Sequence, residues 1–133
     1  MDRGVINMKF KNRTQAGEQL GNRLKDEVRS LENSLILAIP RGGVPVAYEV
    51  AKILDVPFHL VITKKLTLPK YPEYAIGAIA QDGTFKVNER ALSRMNVSDR
   101  DLEEAKKEAL SKVNNRIKKY TNGLAPVVKN KQV

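Results

Sequence analysis

"LILAIPRGGVPVAYEVAKIL", Leu35 to Leu54, is the stretch on which the fold turns. Its first five residues are apolar on both alternating faces. That marks a strand covered on both sides, as in a parallel sheet. Pro-Arg-Gly-Gly follows, and the pattern then becomes helical. Pro45 stands where a first helical turn tolerates it. Ala47, Val50, Ala51 and Leu54 form an apolar helix face. Asp55 and Pro57 end the helix, and "FHLVIT", Phe58 to Thr63, reads as a second strand. Strand, helix and strand within about thirty residues make a βαβ unit, almost always right-handed.

The joint Arg41-Gly42-Gly43 lies between strand and helix, hence at the carboxyl end of a parallel sheet, where open α/β folds bind ligands. Glycines admit a ligand close to the backbone, and a helix N-terminus offers N–H groups and partial positive charge. Arg41 adds a planar fork of donors. Together they suit a phosphate or pyrophosphate; a tight turn with a solvated arginine is the plainer alternative. The dinucleotide fingerprint G-x-G-x-x-G is absent, and no acid closes the second strand to take a ribose. Lys64 and Lys65 stand there instead. Strand alternation sends them to opposite faces, so one of them reaches the ligand end.

Outward from this unit, "NRTQAGEQLGNRLKDEVRSL" predicts a helix with Ala16, Leu20, Leu24, Val28 and Leu31 on one face. Asn12 with Gln15 resembles a capping box. Gly17 and Gly21 weaken its propensity, so packing must hold it. "AIGAIAQDGTFKV" predicts a hairpin turning at Asp82-Gly83. "SDRDLEEAKKEALSKVNNRIKKY" predicts a long helix capped by Ser98 and Asp101, with Leu102, Ala105, Ala109, Val113, Ile117 and Tyr120 as its apolar stripe. "TNGLAP" breaks it, and "VVKNKQV" reads as the approach to another strand. No repeat or linker is visible, and the expectation is a single domain over residues 1–133.

The 133 residues carry a net charge of +9 and no cysteine. Disulfides, thiolate metal sites and a cysteine nucleophile are excluded, and the composition fits a cytoplasmic protein. No apolar run approaches the roughly 20 residues that span a bilayer, and "MDRGVINMKF" lacks the apolar core of a secretory signal. The charge is uneven. From Ala105 onward there are eight bases and one acid. Such an excess suits polyanions, either phosphorylated metabolites or nucleic acid, or it is a solvated helix face. His59, the only histidine, sits mid-strand, where a packed role outweighs a catalytic one. Tyr71 and Tyr74 flank Pro72 and would stack on a base or pack a loop.

The combination of "PRGGVPVA", "KKL" and "PEYAIGAI", in that order and spacing, closely resembles the type I phosphoribosyltransferases with a Pro-Arg-Gly-Gly loop. Upstream, Arg13, Ala16, Gly17 and Leu20 match their opening helix, so the resemblance covers roughly residues 10–133. It implies an α/β, phosphoribosyltransferase-like (Rossmann-like) parallel sheet flanked by helices, with a small antiparallel flap. It implies transfer of ribose 5-phosphate from phosphoribosyl pyrophosphate to a nitrogenous base. Mg²⁺ would arrive with the substrate's phosphates. Arg41, Gly42 and Gly43 would form the pyrophosphate loop, in which a non-proline cis peptide is common. Lys65 would reach the diphosphate from after the second strand. Glu73, Tyr74, Ala75 and Gly77 would lie at the root of the flap.

The family's diagnostic motif is a strand ending in two acids, followed by a Thr/Gly loop that cradles the 5′-phosphate. The only adjacent acids here, Asp26-Glu27 and Glu103-Glu104, lie in predicted helices. In the family pattern that strand begins at about Lys131 to Val133. The expectation is a domain incomplete at its C-terminus, of weak or no activity alone, with open sheet edges that favour self-association. The acceptor base stays open. The alternative is a non-catalytic basic module binding phosphate or nucleic acid, disfavoured by 5% aromatics and no recognised nucleic-acid motif. A third reading is a remnant of a split gene.

Overall fold

The computed structural model describes residues 9–123 and 126–133. Its mixed α/β architecture falls into two compact units, one running to His59 and taking in Val128–Val133, the other spanning Leu60–Val127.

The first unit holds α1 (Arg13–Glu27), β1 (Ile36–Ala38), α2 (Gly43–Leu54) and all but the last residue of β2 (Phe58–Leu60). β1 and β2 pair in a two-stranded parallel sheet, with α2 as the crossover. On the other side of β1, Ser34 and Gln132 form a parallel bridge, and the Leu35 N–H donates to the Gln132 carbonyl at 2.8 Å. The expected strand approach at the end of the chain is therefore present as a single bridge. Val50, Leu54 and Val56 are the core, with Leu24, Leu31, Ile36 and Ile53 against it. β1 is shorter than the apolar run. Ile39 lies beyond it, 58% exposed.

α1 starts where the cap was expected. The Asn12 Oδ1 accepts the Gln15 N–H at 2.8 Å, while the Gln15 Oε1 accepts the Lys11 N–H rather than that of Asn12. Its buried face differs from the leucine stripe. The buried residues of α1 are Gly17 and Gly21, and Leu20 is exposed. A Cβ on Gly17 would stand 2.7 Å from the Val46 carbonyl oxygen and 2.8 Å from the Glu49 Cβ, so α1 rides directly on the backbone of α2. Glu49 is buried in this contact and pairs with Lys52 at 3.1 Å. That hydrogen bond, and then the carboxylate's charge, raise the Lys52 pKa. Gly17→Ala is expected to destabilise the chain by about 1–2 kcal/mol. Overpacking against backbone outweighs the roughly 1 kcal/mol that alanine gains over glycine in a helix. A raised melting temperature would refute this.

The second unit is a three-stranded antiparallel sheet, β3 (Thr63–Leu68), β4 (Tyr71–Ala80) and β5 (Phe85–Val87), with α3 (Glu89–Arg94) and α4 (Asp99–Thr121). The expected hairpin at Asp82-Gly83 is β4–β5, with Gly83 at φ 87°. Its turn is fixed by Asp82, which accepts the Thr84 N–H and hydroxyl, each at 2.9 Å. Those hydrogen bonds lower the Asp82 pKa. The "FHLVIT" strand is corrected. Pairing of β2 ends at Leu60, and Thr63 instead opens β3, whose partner is β4. The antiparallel sheet is thus wider than a hairpin.

α4 covers this sheet. Ser98 Oγ accepts the Asp101 N–H at 3.1 Å, and Asn122 ends the helix in the left-handed region. Ala105, Ala109 and Val113 are buried, the small alanines letting the helix lie close to the strands. Ile62, Leu66, Ile76, Ile79, Ala109 and Val113 form the core. Tyr120, expected on the stripe, is 41% exposed. The short helix α3, capped by Asn88 onto the Ala91 N–H, was not expected. Among the described residues no helix is long and apolar enough to cross a membrane.

Candidate functional site

β1 delivers the chain to Pro40, and α2 begins at Gly43, so the intervening residues form a tight connection. The Pro40–Arg41 peptide is cis, a feature the family resemblance implies for this loop. The Gly43 N–H donates to the Ile39 carbonyl at 3.1 Å, and the Val44 N–H to the Arg41 carbonyl at 3.2 Å. Pro45 has no N–H. The first turn of α2 is therefore satisfied locally, unlike the free N-terminus that the sequence suggested. The donors left are one step earlier. Among the described residues, no hydrogen bond takes up the backbone N–H of Arg41 or Gly42.

The two glycines do different things. Gly42 lies at φ −64°, open to any residue, but a Cβ there would meet the Arg13 Nε at 3.2 Å and its Nη2 at 3.4 Å. The guanidinium of Arg13, from the first residue of α1, is seated on Gly42. At Gly43 nothing stands within 4 Å of the Cβ position, so that face is open to a ligand. Neither Arg13 nor Arg41 is paired with a carboxylate among the described residues. The Arg13 guanidinium, the exposed residue Arg41 and two backbone N–H groups therefore belong to one loop. Arg13 was assigned by the sequence only to the opening helix. The available signal was its place right after the Asn12 cap, where α1 enters.

Lys65 follows the second parallel strand β2 in the chain and stands within β3, in the second unit. Leu66 beside it is fully buried. Lys64 and Lys65 differ as alternation requires. Lys65 is exposed, and Lys64 is half-buried near Glu108. The Glu108 pKa is lowered by its hydrogen bond with Lys112, then by the charge of Lys112, with Lys64 adding to it. The cleft these residues line measures only about 20 Å³, space for a single water. Glu73 is exposed on β4, and Gly77 pairs with both Leu66 and Val87 inside the sheet. Among the described residues, no three His, Cys, Asp or Glu converge as a metal would require.

No known family profile matches the chain. Two proteins from strains of Mycobacterium tuberculosis, each named "Putative phosphoribosyl transferase", are 34% identical to it over 114 residues. The match covers 86% of this chain and 25% of each relative, so the chain spans a quarter of their length. Among solved structures, the crystal structure of TT1426 from Thermus thermophilus is similar at a TM-score of 0.70 and 30% identity. The match covers 91% of this chain and 56% of that one. The likeness to the two mycobacterial proteins supports a phosphoribosyltransferase-like family.

Proposed function

We propose that the chain carries the diphosphate-binding part of a type I phosphoribosyltransferase, within a phosphoribosyltransferase-like fold. The observation that carries the reading is the loop after β1, where the guanidinium groups of Arg13 and Arg41 and the N–H groups of Arg41 and Gly42 have no partner of their own among the described residues. Such a set matches a diphosphate, whose oxygens accept several charge-assisted hydrogen bonds at once. In phosphoribosyl transfer the pyrophosphate leaves carbon 1 of the ribose as the base attacks. Negative charge grows on the leaving oxygens, and donors held in place beforehand stabilise it. Gly43, with its open face, lets the diphosphate approach the backbone. Mg²⁺, which pairs with phosphates more than with dedicated protein cages, would come with the substrate and neutralise part of its charge.

Within the 133 residues no strand ends in two acids followed by a Thr/Gly loop. The ribose and 5′-phosphate therefore find no cradle here, and positioning both ends of the substrate supplies much of the rate. The basic residues of α4 favour a nucleic-acid reading less. Lys106 and Lys112 pair with Glu103 and Glu108, and Lys106 also lies 3.6 Å over the Phe85 ring.

Calorimetric titration tests the proposal. Pyrophosphate with Mg²⁺ is expected to bind at least tenfold more tightly than phosphate, and phosphoribosyl pyrophosphate about as tightly as pyrophosphate. Turnover with a panel of bases is expected to be barely measurable. Equal affinity for phosphate and pyrophosphate would overturn the diphosphate assignment. Rapid turnover would overturn the claim that only that half of the site is here.

A further inference from the structure

Beyond the diphosphate loop, the geometry points to a second ligand site on the second unit, a cleft for a planar aromatic anion the size of a nucleoside monophosphate. The cleft lies between the start of β4 and α3 and measures about 520 Å³, within the range of small-molecule sites. Tyr71, Tyr74, Asn88, Arg90, Arg94 and Met95 line it, and among the described residues no carboxylate does.

The tyrosines are brought there by an irregularity in the sheet. Thr67 pairs with Ala75, but the next residue, Leu68, pairs with Tyr71, so residues 72–74 are extra. In a regular strand residues three apart point to opposite faces. Here the bulge turns Tyr71 and Tyr74 to the same side, with ring centroids 6.5 Å apart in an edge-to-face arrangement. Bulges often re-aim side chains beside binding sites. Both rings keep much of their surface in solvent, Tyr74 being 61% exposed, so aromatic area remains for a ligand ring.

The arginines come from the short helix. Arg90 and Arg94 stand one turn apart on α3, a spacing at which like charges destabilise a helix. Neither forms an ion pair among the described residues. Their placement therefore works against the free protein and favours a bound anion. Asn88 uses its Oδ1 as the cap for Ala91, which leaves its amide NH₂ as a donor. A ligand ring would lie on the tyrosines and Met95, and its phosphate or carboxylate on the guanidinium pair.

The test uses the 133-residue chain and three probes: adenosine monophosphate, adenosine and inorganic phosphate. The monophosphate is expected to bind at least tenfold more tightly than either of the others. Tyr74→Ala and Arg94→Gln are each expected to weaken it about tenfold. Both side chains are exposed, and circular dichroism would confirm that the variants fold. Arg41→Ala is expected to leave this affinity unchanged while it weakens pyrophosphate, which separates the second site from the loop. The proposal is overturned if adenosine or phosphate binds as tightly as the monophosphate, if Tyr74→Ala or Arg94→Gln has no effect, or if Arg41→Ala abolishes binding.

Discussion

Replacing Arg13 and Arg41 by alanine together is expected to remove measurable pyrophosphate binding, and each single replacement to weaken it by at least about tenfold. A hydrogen bond to a charged group contributes roughly 1.5–3 kcal/mol, about a factor of ten or more. The loop is exposed, so the lower end applies. The two effects should not simply add. Arg13 is packed on Gly42, next to Arg41, and groups that share one bound anion couple. The Arg41 replacement leaves the Arg13 seat intact, whereas Gly42→Ala would push the Arg13 guanidinium away without deleting any charge. Gly42→Ala is accordingly expected to resemble Arg13→Ala in affinity. Calorimetry on the four proteins measures this. An Arg13→Ala variant that binds like the parent would remove Arg13 from the site.

The larger structural effect belongs to Gly77→Ala. Gly77 sits on the central strand of the second sheet, paired with Leu66 on one side and Val87 on the other. A Cβ there would collide with the Lys86 carbonyl and stand 3.0 Å from the Val87 Cα. Both are backbone atoms, so no rotamer change relieves the clash. β5 is held by three pairs only and must move. A destabilisation of about 3 kcal/mol, the upper end for overpacking, corresponds to a fall in melting temperature of the order of 10 °C. Hydrogen exchange should show Ala80, whose N–H donates to the Thr84 carbonyl, losing protection first. An unchanged melting temperature would show that the ladder can yield.

How much of this was legible depended on the range of each signal. The β1–α2 joint, the Asp82-Gly83 turn and the Ser98 cap are local devices, written in adjacent residues, and each is found where the sequence put it. The split of "FHLVIT" into the end of β2 and the start of β3 was not legible, because an apolar run does not say which strand will pair with it. α1 misled for a related reason. Leucines at helical spacing outweigh glycines in any hydrophobic pattern, yet close backbone approach buried Gly17 and Gly21 and left Leu20 outside. At the candidate site Arg41, Gly42 and Gly43 could be named from their order in the chain. Arg13 lies many residues upstream, and only the packing of α1 on α2 brings its guanidinium to the loop. The two tyrosines were visible, but not the bulge that turns them together.

The bridge between Ser34 and Gln132 bears on the order in which the protein can be made. The first unit is discontinuous. Its last partner, Gln132, also reaches the Ser30 carbonyl, 102 residues away along the chain. The second unit is one unbroken segment, Leu60–Val127. During synthesis, which delivers the chain from its N-terminus, α1, β1 and α2 emerge first but lack the neighbour of β1 until nearly everything else has been translated. The segment that begins later can complete its fold earlier. A nascent chain stalled short of Gln132 would thus carry a finished second unit together with a β1–α2 connection whose supporting strand still has one open flank.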